Sequence, residues 1–338
     1  MAASSGGPTV DAVTHQPAQG SVLGRVARLD RSSAQVLVDG ATTRVPTTGT
    51  DLLVGDWVAL DMPPEEEPRL VEVLPRTSVL SRRASDRTSS EQGLVANLDV
   101  VLVTEPAWPG ASLGRVERLL VLAWSSGAVP VVVVTKSDLH PDPAVLVREV
   151  ADVAPGAQVL AVSAVTGQGL DELSSLLGPG QTFVLLGPSG AGKSTLVNAL
   201  AGGAVLDTGG VRGDGKGRHT TTRRQLVTLS NGSVLVDTPG LRAVGVVGAA
   251  DAVDEVFGEI AELAVHCRFA DCAHEREPGC EVTGAVEDGR LPARRLASWR
   301  KLQREVAYQR QRGDARAARE EKARWKSISK SMRGHSRP

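Results

Sequence analysis

Residues 187–195 read Gly-Pro-Ser-Gly-Ala-Gly-Lys-Ser-Thr, which is the GxxxxGK[ST] spacing of a phosphate cradle. Gly187, Pro188, Ser189, Gly190, Ala191 and Gly192 form a small-residue backbone that can turn its N–H groups towards an anion at the positive end of a helix. Lys193 is then placed to reach the β- and γ-phosphates. Ser194 would set its hydroxyl on Mg²⁺, and Thr195 completes the motif. The apolar run 182–186 before it reads as a buried strand, and 196–200 after it as the first turns of a helix. That context separates the motif from a glycine turn with a chance lysine.

Two short strings narrow the nucleotide. Thr135, Lys136, Ser137 and Asp138 follow the apolar run 130–134, and Ser163 and Ala164 follow the run 158–162. Both therefore fall at carboxyl ends of strands, where open α/β sheets bind ligands. A carboxylate such as Asp138 accepts two hydrogen bonds from guanine N1–H and N2–H₂, a donor pair that adenine lacks. Lys136 would lay its aliphatic stem along the ring, and the backbone at Ser163 and Ala164 would meet the guanine oxygen. A third string, 234–240, is an apolar strand ending in Asp237 and followed by Gly240. Asp237 would hold Mg²⁺ through water, and the Gly240 amide would sense the γ-phosphate. In the glycine-rich, basic segment 213–222, one threonine should reach Mg²⁺, and Thr221 is favoured. The residue after Gly240 is Leu241, which cannot orient water. His219 is a candidate catalytic group beside Lys193, with loop packing as its alternative role.

All the cysteines of the chain lie in one segment: Cys267, Cys272 and Cys280, with His274 among them. Three thiolates and one imidazole supply the tetrahedral Cys₃His set of a structural Zn²⁺, with no open position for a catalytic water. The odd count argues against disulfides. His266 is the competing imidazole.

These residues require elements to carry them. Residues 21–74 alternate in short β-rich runs, with Asp39 and Gly40 as a hairpin signal, and suggest a small OB-fold β-barrel or a purely structural β-module. Residues 75–97 read as a linker. Residues 98–247 alternate continuous apolar runs with helical periodicity, as an α/β P-loop GTPase domain would. Residues 248–310 read as a helical zinc-binding domain, with one helix face at Val253, Val256, Phe257, Ile260 and Leu263 and a second at Leu296, Trp299, Leu302 and Val306. The expected fold class is thus multidomain: a β-barrel, a circularly permuted GTPase domain and a helical zinc domain. The permutation follows from motif order, because the base strings precede the phosphate cradle. It ties the γ-phosphate sensor directly to everything C-terminal.

With 338 residues, 41% of them apolar, and a net charge of −1, the chain has length for two or three domains. No apolar run approaches the ~20 residues that span a bilayer, so no membrane role is expected. Residues 1–20 lack Lys, Arg and an apolar stretch, and read as a disordered tail rather than a secretory signal. A cytoplasmic location is the default. The small net charge conceals an asymmetry: residues 294–338 hold 15 Lys and Arg against 4 Asp and Glu, a surplus of +11, which leaves −12 on residues 1–293. A polyanionic partner for the basic tail, residues 311–338, and a solvated helix face are equally compatible with that surplus.

Taken together, the permuted motifs, the preceding barrel and the following cysteine segment resemble the ribosome small subunit-dependent GTPase A (RsgA, or YjeQ) family. The resemblance runs from about Val22 to Leu302 and is carried by 187–195, 217–222, 237–241 and the cysteines. It implies GTP and GDP as ligands, Mg²⁺ with GTP, one structural Zn²⁺ held through His274, and late maturation of the small ribosomal subunit as the task. It also implies rRNA as partner, under which the basic tail becomes a phosphate-binding arm. Thr135 departs from the Asn of many GTPases. A monomer is expected. Two other functions compete. A plain P-loop ATPase leaves 135–138 and 163–164 unexplained, and an RNA-binding scaffold would bind GTP with little turnover.

Overall fold

The computed structural model describes residues 20–47, 49–83, 91–206, 224–238, 250–308 and 311. The chain divides into two compact units, Met1–Ser81 with Gly93–Val244 and Arg82–Gln92 with Gly245–Pro338.

The first unit begins with β1 (Val22–Leu29), β2 (Ser33–Val38), β3 (Ala41–Pro46), β4 (Trp57–Asp61) and β5 (Arg69–Val73). β1 pairs antiparallel with both β2 and β4, β2 pairs with β3 and β4 with β5, while β3 lies beside β5. That is the Greek-key order of a small OB-type barrel. Its alternating residues point Val26, Ala34, Val36, Val58 and Leu60 inwards. The β2–β3 hairpin closes through Asp39 and Gly40 at φ 46° and 80°, the two positive values a tight hairpin turn requires. The stretch 75–97, expected as a linker, holds β6 (Val79–Arg83) and β7 (Glu91–Ala96), which form a two-stranded ribbon. Leu80, Leu94 and Val95 bury their side chains there. Runs of Ser and Arg between these strands mask the short apolar pattern in sequence.

The rest of this unit is the α/β layer. β8 (Val100–Pro106), β9 (Val129–Thr135), β10 (Gln158–Val162), β11 (Thr182–Leu186), β12 (Gln225–Thr228) and β13 (Val234–Asp237) alternate with α1 (Leu113–Ser125), α2 (Pro143–Ala151), α3 (Leu170–Ser175) and α4 (Lys193–Ala201). In space the order is β10-β9-β8-β11-β13-β12, parallel except for β12. Val-rich β8 and β9 and the apolar β11 are buried along almost their whole length, as central parallel strands must be. β11 inserts between β8 and β13, although β8 to β10 precede it in the chain. The motif order of the sequence is thus the order of a permuted sheet.

Barrel and α/β layer share one hydrogen-bonded sheet, because β1 continues the edge of β12 at Arg28 and Gln225. The junction is tight. A Cβ on Gly55 would lie 2.2 Å from Ala96 O, and the buried Arg25 donates to Gly55 O at 3.4 Å and Asn97 O at 3.1 Å. Desolvation draws the Arg25 pKa down to about 10, with Asp99 pulling the other way.

In the second unit, α5 (Ala250–Val256) and α6 (Gly258–Ala264) replace the single helix expected over 253–263. The chain leaves helical geometry at Phe257 (φ −118°, ψ 42°), which is fully buried. Arg295, on a helix over 293–308, lies 4.4 Å over the Phe257 ring and donates to Glu259 Oε1 at 2.6 Å and Val256 O at 2.8 Å. α7 (Glu281–Glu287) lies between, and Leu296, Leu302 and Val306 are buried on the expected face.

Candidate nucleotide site and metal loop

The phosphate loop owes its shape to its glycines. Gly187, Gly190 and Gly192 have φ of 156°, 79° and 83°. A Cβ on Gly187 would fall 2.2 Å from both Thr104 O and Thr104 Oγ1, so only glycine lets the loop leave β11 beside β8. Thr104 Oγ1 in turn donates to Leu186 O at 2.9 Å. Gly192 caps α4, and Lys193 opens it. Lys193 Nζ donates to Gly187 O at 2.9 Å and Pro188 O at 2.7 Å, so the loop is wrapped around the ammonium. Ser194 is half-buried at the helix start, with Thr195 exposed beside it.

The base string meets this loop directly. Thr135, only 4% exposed, donates its hydroxyl to Ala191 O at 2.6 Å. Lys136 takes the left-handed conformation (φ 57°), and its Cε lies 3.8 Å from the point where a Gly192 Cβ would stand. The lysine stem thus runs against the loop that ends at Gly192. Ser137 is buried, and Asp138 stands exposed in a 3-10 turn, Ser137–Leu139. At the end of β10, Ser163 Oγ accepts from Val165 N at 3.3 Å and Thr166 N at 3.1 Å, and Ser163 N donates to Gln168 O at 2.9 Å. Gln168 Oε1 also accepts from Ser137 Oγ at 3.4 Å, joining the two base strings.

Asp237 ends β13, two strands from β8 and adjacent to the cradle strand β11. Its register partner is Gln225 on β12. His219, Thr221, Gly240 and Leu241 lie outside the described residues.

In the second unit Cys267, Cys272, His274 and Cys280 bring their ligand atoms within 4.8 Å of one another. His274 Nδ1 is 3.5 Å from both Cys267 Sγ and Cys280 Sγ. His266 is exposed and outside the set. A cluster of this donor chemistry can hold a metal ion, and soft thiolates with imidazole favour zinc over magnesium or calcium. Cys280 also caps α7, accepting from Thr283 N at 3.4 Å. Burial works to raise that thiol's pKa, but hydrogen bonds with Thr283, His274 and Cys272 together bring it down to about 6. His274 is held in a left-handed conformation (φ 57°) by Arg300, which donates to its carbonyl, and by Trp299, whose ring centre is 5.5 Å away. Glu277 closes the loop by accepting from Ala273 N, Glu275 N and Arg276 N at 3.1, 2.8 and 3.0 Å.

Residues 73–247, just over half of the chain, match the model of the RsgA GTPase domain. A relative from Streptomyces coelicolor, named small ribosomal subunit biogenesis GTPase RsgA, is 49% identical over 328 residues, covering 94% of this chain and 89% of its own length. The chain belongs to the RsgA GTPase family. A relative of the same name from Methanosarcina acetivorans is 40% identical over 316 residues, covering 91% and 86%. Among solved structures, YjeQ from Thermotoga maritima is similar with a TM-score of 0.63 and 27% identity, over 85% of this chain and 99% of that one. YloQ, described as a circularly permuted GTPase, is similar with a TM-score of 0.61 and 25% identity, over 87% and 98%. The permuted strand order seen here is thus shared with a solved structure.

Some residues that shape the nucleotide site in the first unit, or the cysteine loop in the second, are not marked in the sequence as doing so. Thr104, Gln168, Trp299 and Arg300 act through contacts between residues far apart in the chain or through ordinary helix positions. No local spacing marks Thr104, Gln168 or Arg300, and Trp299 is marked only as part of a helix packing face. The 82-residue separation of the Thr104 contact exceeds any motif window.

Proposed function

We propose that this chain is a GTP hydrolase acting in maturation of the small ribosomal subunit, with rRNA as its macromolecular partner and the cytoplasm as its location. The observation that carries the reading is the Thr135 hydroxyl on Ala191 O. It joins a guanine-type base string to a phosphate cradle in the permuted order, and the named relatives share that family.

In this reading Asp138 selects guanine, the Ala164 N–H meets its oxygen, and Lys136 supports the ring. The cradle amides and Lys193 neutralise charge on the phosphates. Ser194, Thr221 and Asp237 present hard oxygen donors suited to Mg²⁺, which when bound spreads the charge developing on the phosphates. Leu241 offers no polar group for water, and His219 is assigned that orienting role when the protein sits on its subunit. The Cys₃His loop holds one structural Zn²⁺, and the basic tail from residue 311 meets RNA phosphates. The protein acts as a monomer.

The test is phosphate release from GTP by the purified protein, alone and with small or large ribosomal subunits. Stimulation confined to the small subunit is expected, and His219→Ala should lose it. A stimulated rate unchanged in that variant removes His219 from the mechanism. GTP bound but not hydrolysed with any subunit would make the chain a nucleotide-binding scaffold instead.

A further inference from the structure

The mechanism above leaves three fully buried carboxylates unused among the described residues, Asp56, Glu105 and Glu117, and Glu105 is the one whose own carbonyl meets Thr135. Glu105 lies near the end of β8 with its side chain wholly excluded from solvent. Glu105 Oε1 accepts from Ser112 N at 2.8 Å and Arg115 Nη2 at 2.6 Å, and Oε2 accepts from Arg115 Nε at 2.8 Å. All three bonds therefore close the loop between β8 and α1 upon its own root. The hydrogen bonds to Glu105 raise the pKa of the Arg115 guanidinium, against the opposing effect of its partial burial. A buried ion pair is a poor stabiliser, since apolar side chains of equal volume hold a fold as well or better. What it supplies is geometry, through a bidentate fork between a buried carboxylate and a half-exposed guanidinium.

The other face of the same loop explains what needs that geometry. Glu105 O accepts from the Thr135 hydroxyl at 3.4 Å, and Ala107 N donates to Thr135 O at 2.8 Å. Thr135 is thereby held at its carbonyl by the loop that Glu105 clamps, while its single hydroxyl proton goes to Ala191 O in the cradle at 2.6 Å, with Glu105 O a longer second acceptor. Asp138 follows three residues later on the turn that Thr135 anchors.

We propose that Glu105 is a positioning residue for guanine recognition, clamping the β8–α1 loop so that Thr135 holds the base string in register with the phosphate cradle. The proposal rests on the reading of 135–138 as that string. It assigns Glu105 no contact with the nucleotide. Its effect belongs to the base half of the ligand and not to the phosphate half.

The experiment measures dissociation constants of the full chain for GDP, ADP and inorganic tripolyphosphate, in wild type, Glu105→Gln, Arg115→Met and Arg115→Lys. Loosening the clamp should weaken GDP about tenfold while tripolyphosphate changes by less than about twofold. Arg115→Lys, which restores one charged donor, should recover part of the loss. Equal weakening of both ligands would show general damage and overturn the proposal, as would unchanged GDP affinity. Should Glu105→Gln fail to fold, Arg115→Met decides, because that side chain is 40% exposed and breaks the clamp from the solvent side. A wild type that binds ADP as well as GDP fails the guanine reading itself, a result distinct from any of these.

Discussion

The nucleotide site and the Cys₃His loop, a cluster that can hold a metal ion, fix the positions of their residues by opposite means. The cradle and base strings hang from the ends of strands whose Val and Leu side chains fill a large core, including Leu102, Val133, Phe183 and Leu185. Their positions are set before any ligand arrives. The loop 267–280 has little apolar support: Val265 is 80% and Phe269 41% exposed beside and within it. Its shape depends on the ligand set, on Arg300 and Trp299, and on the Glu277 hydrogen bonds. A site built on a sheet tolerates loss of its ligand, whereas a site built by its ligand does not.

The widest separation should come from removing the metal. Structural zinc in small domains contributes about 10–16 kcal/mol of apparent binding free energy, so chelation or Cys280→Ser should abolish protease resistance in residues 250–308. GDP affinity should stay within about twofold. A parallel loss of GDP binding, followed by titration on the chelated protein, would break the comparison.

Within the nucleotide site, Lys193→Ala should lower turnover by about 10²–10³-fold, the scale seen when a donor to developing charge is deleted. Zinc content by elemental analysis should not change. In the proposed guanine reading, Asp138→Asn removes a charged acceptor of two hydrogen bonds, each worth roughly 1.5–3 kcal/mol. It should weaken GDP at least about tenfold and improve xanthosine diphosphate relative to it, as read by competition. Gly187→Ala forces a Cβ against Thr104 O and should destabilise the fold by an overpacking cost of about 1–3 kcal/mol, read as a lower melting temperature, with nucleotide affinity falling alongside.

The smallest effect belongs to Glu277. Its own N–H and that of Glu275, followed by those of Ala273 and Arg276, hold its pKa down at about 2 against an ordinary 4.5. Because the folded value is the lower one, its stabilisation is complete above about pH 4.5 and is lost as pH falls through about 2. Glu277→Gln should speed zinc transfer to a chelator by less than about threefold at neutral pH, an exposed carboxylate being well screened. A larger change would mean that the loop depends on its acid as much as on its thiolates.

Legibility in the sequence followed the range of the interactions. The hairpin at Asp39 and Gly40, the strands β10 and β11 and the face through Leu296, Leu302 and Val306 were readable, because turn chemistry and periodicity act within a few residues. The strands in 75–97 were not, since their burial depends on what packs on Leu80 and Leu94. The helix break at Phe257 was equally hidden: apolar spacing continues through it, and only the packing of that ring and Arg295 favours two helices.

Residue types and their order alone determined the cradle, the base strings, the permutation and the Cys₃His set, because each is a short run whose backbone or donor atoms do the chemistry. Tertiary structure decided what holds them together. Thr135 reaches Ala191 across 56 positions and Thr104 reaches Leu186 across 82. Only the folding of a parallel sheet brings such ends side by side, since each strand pairs with neighbours that no local pattern names.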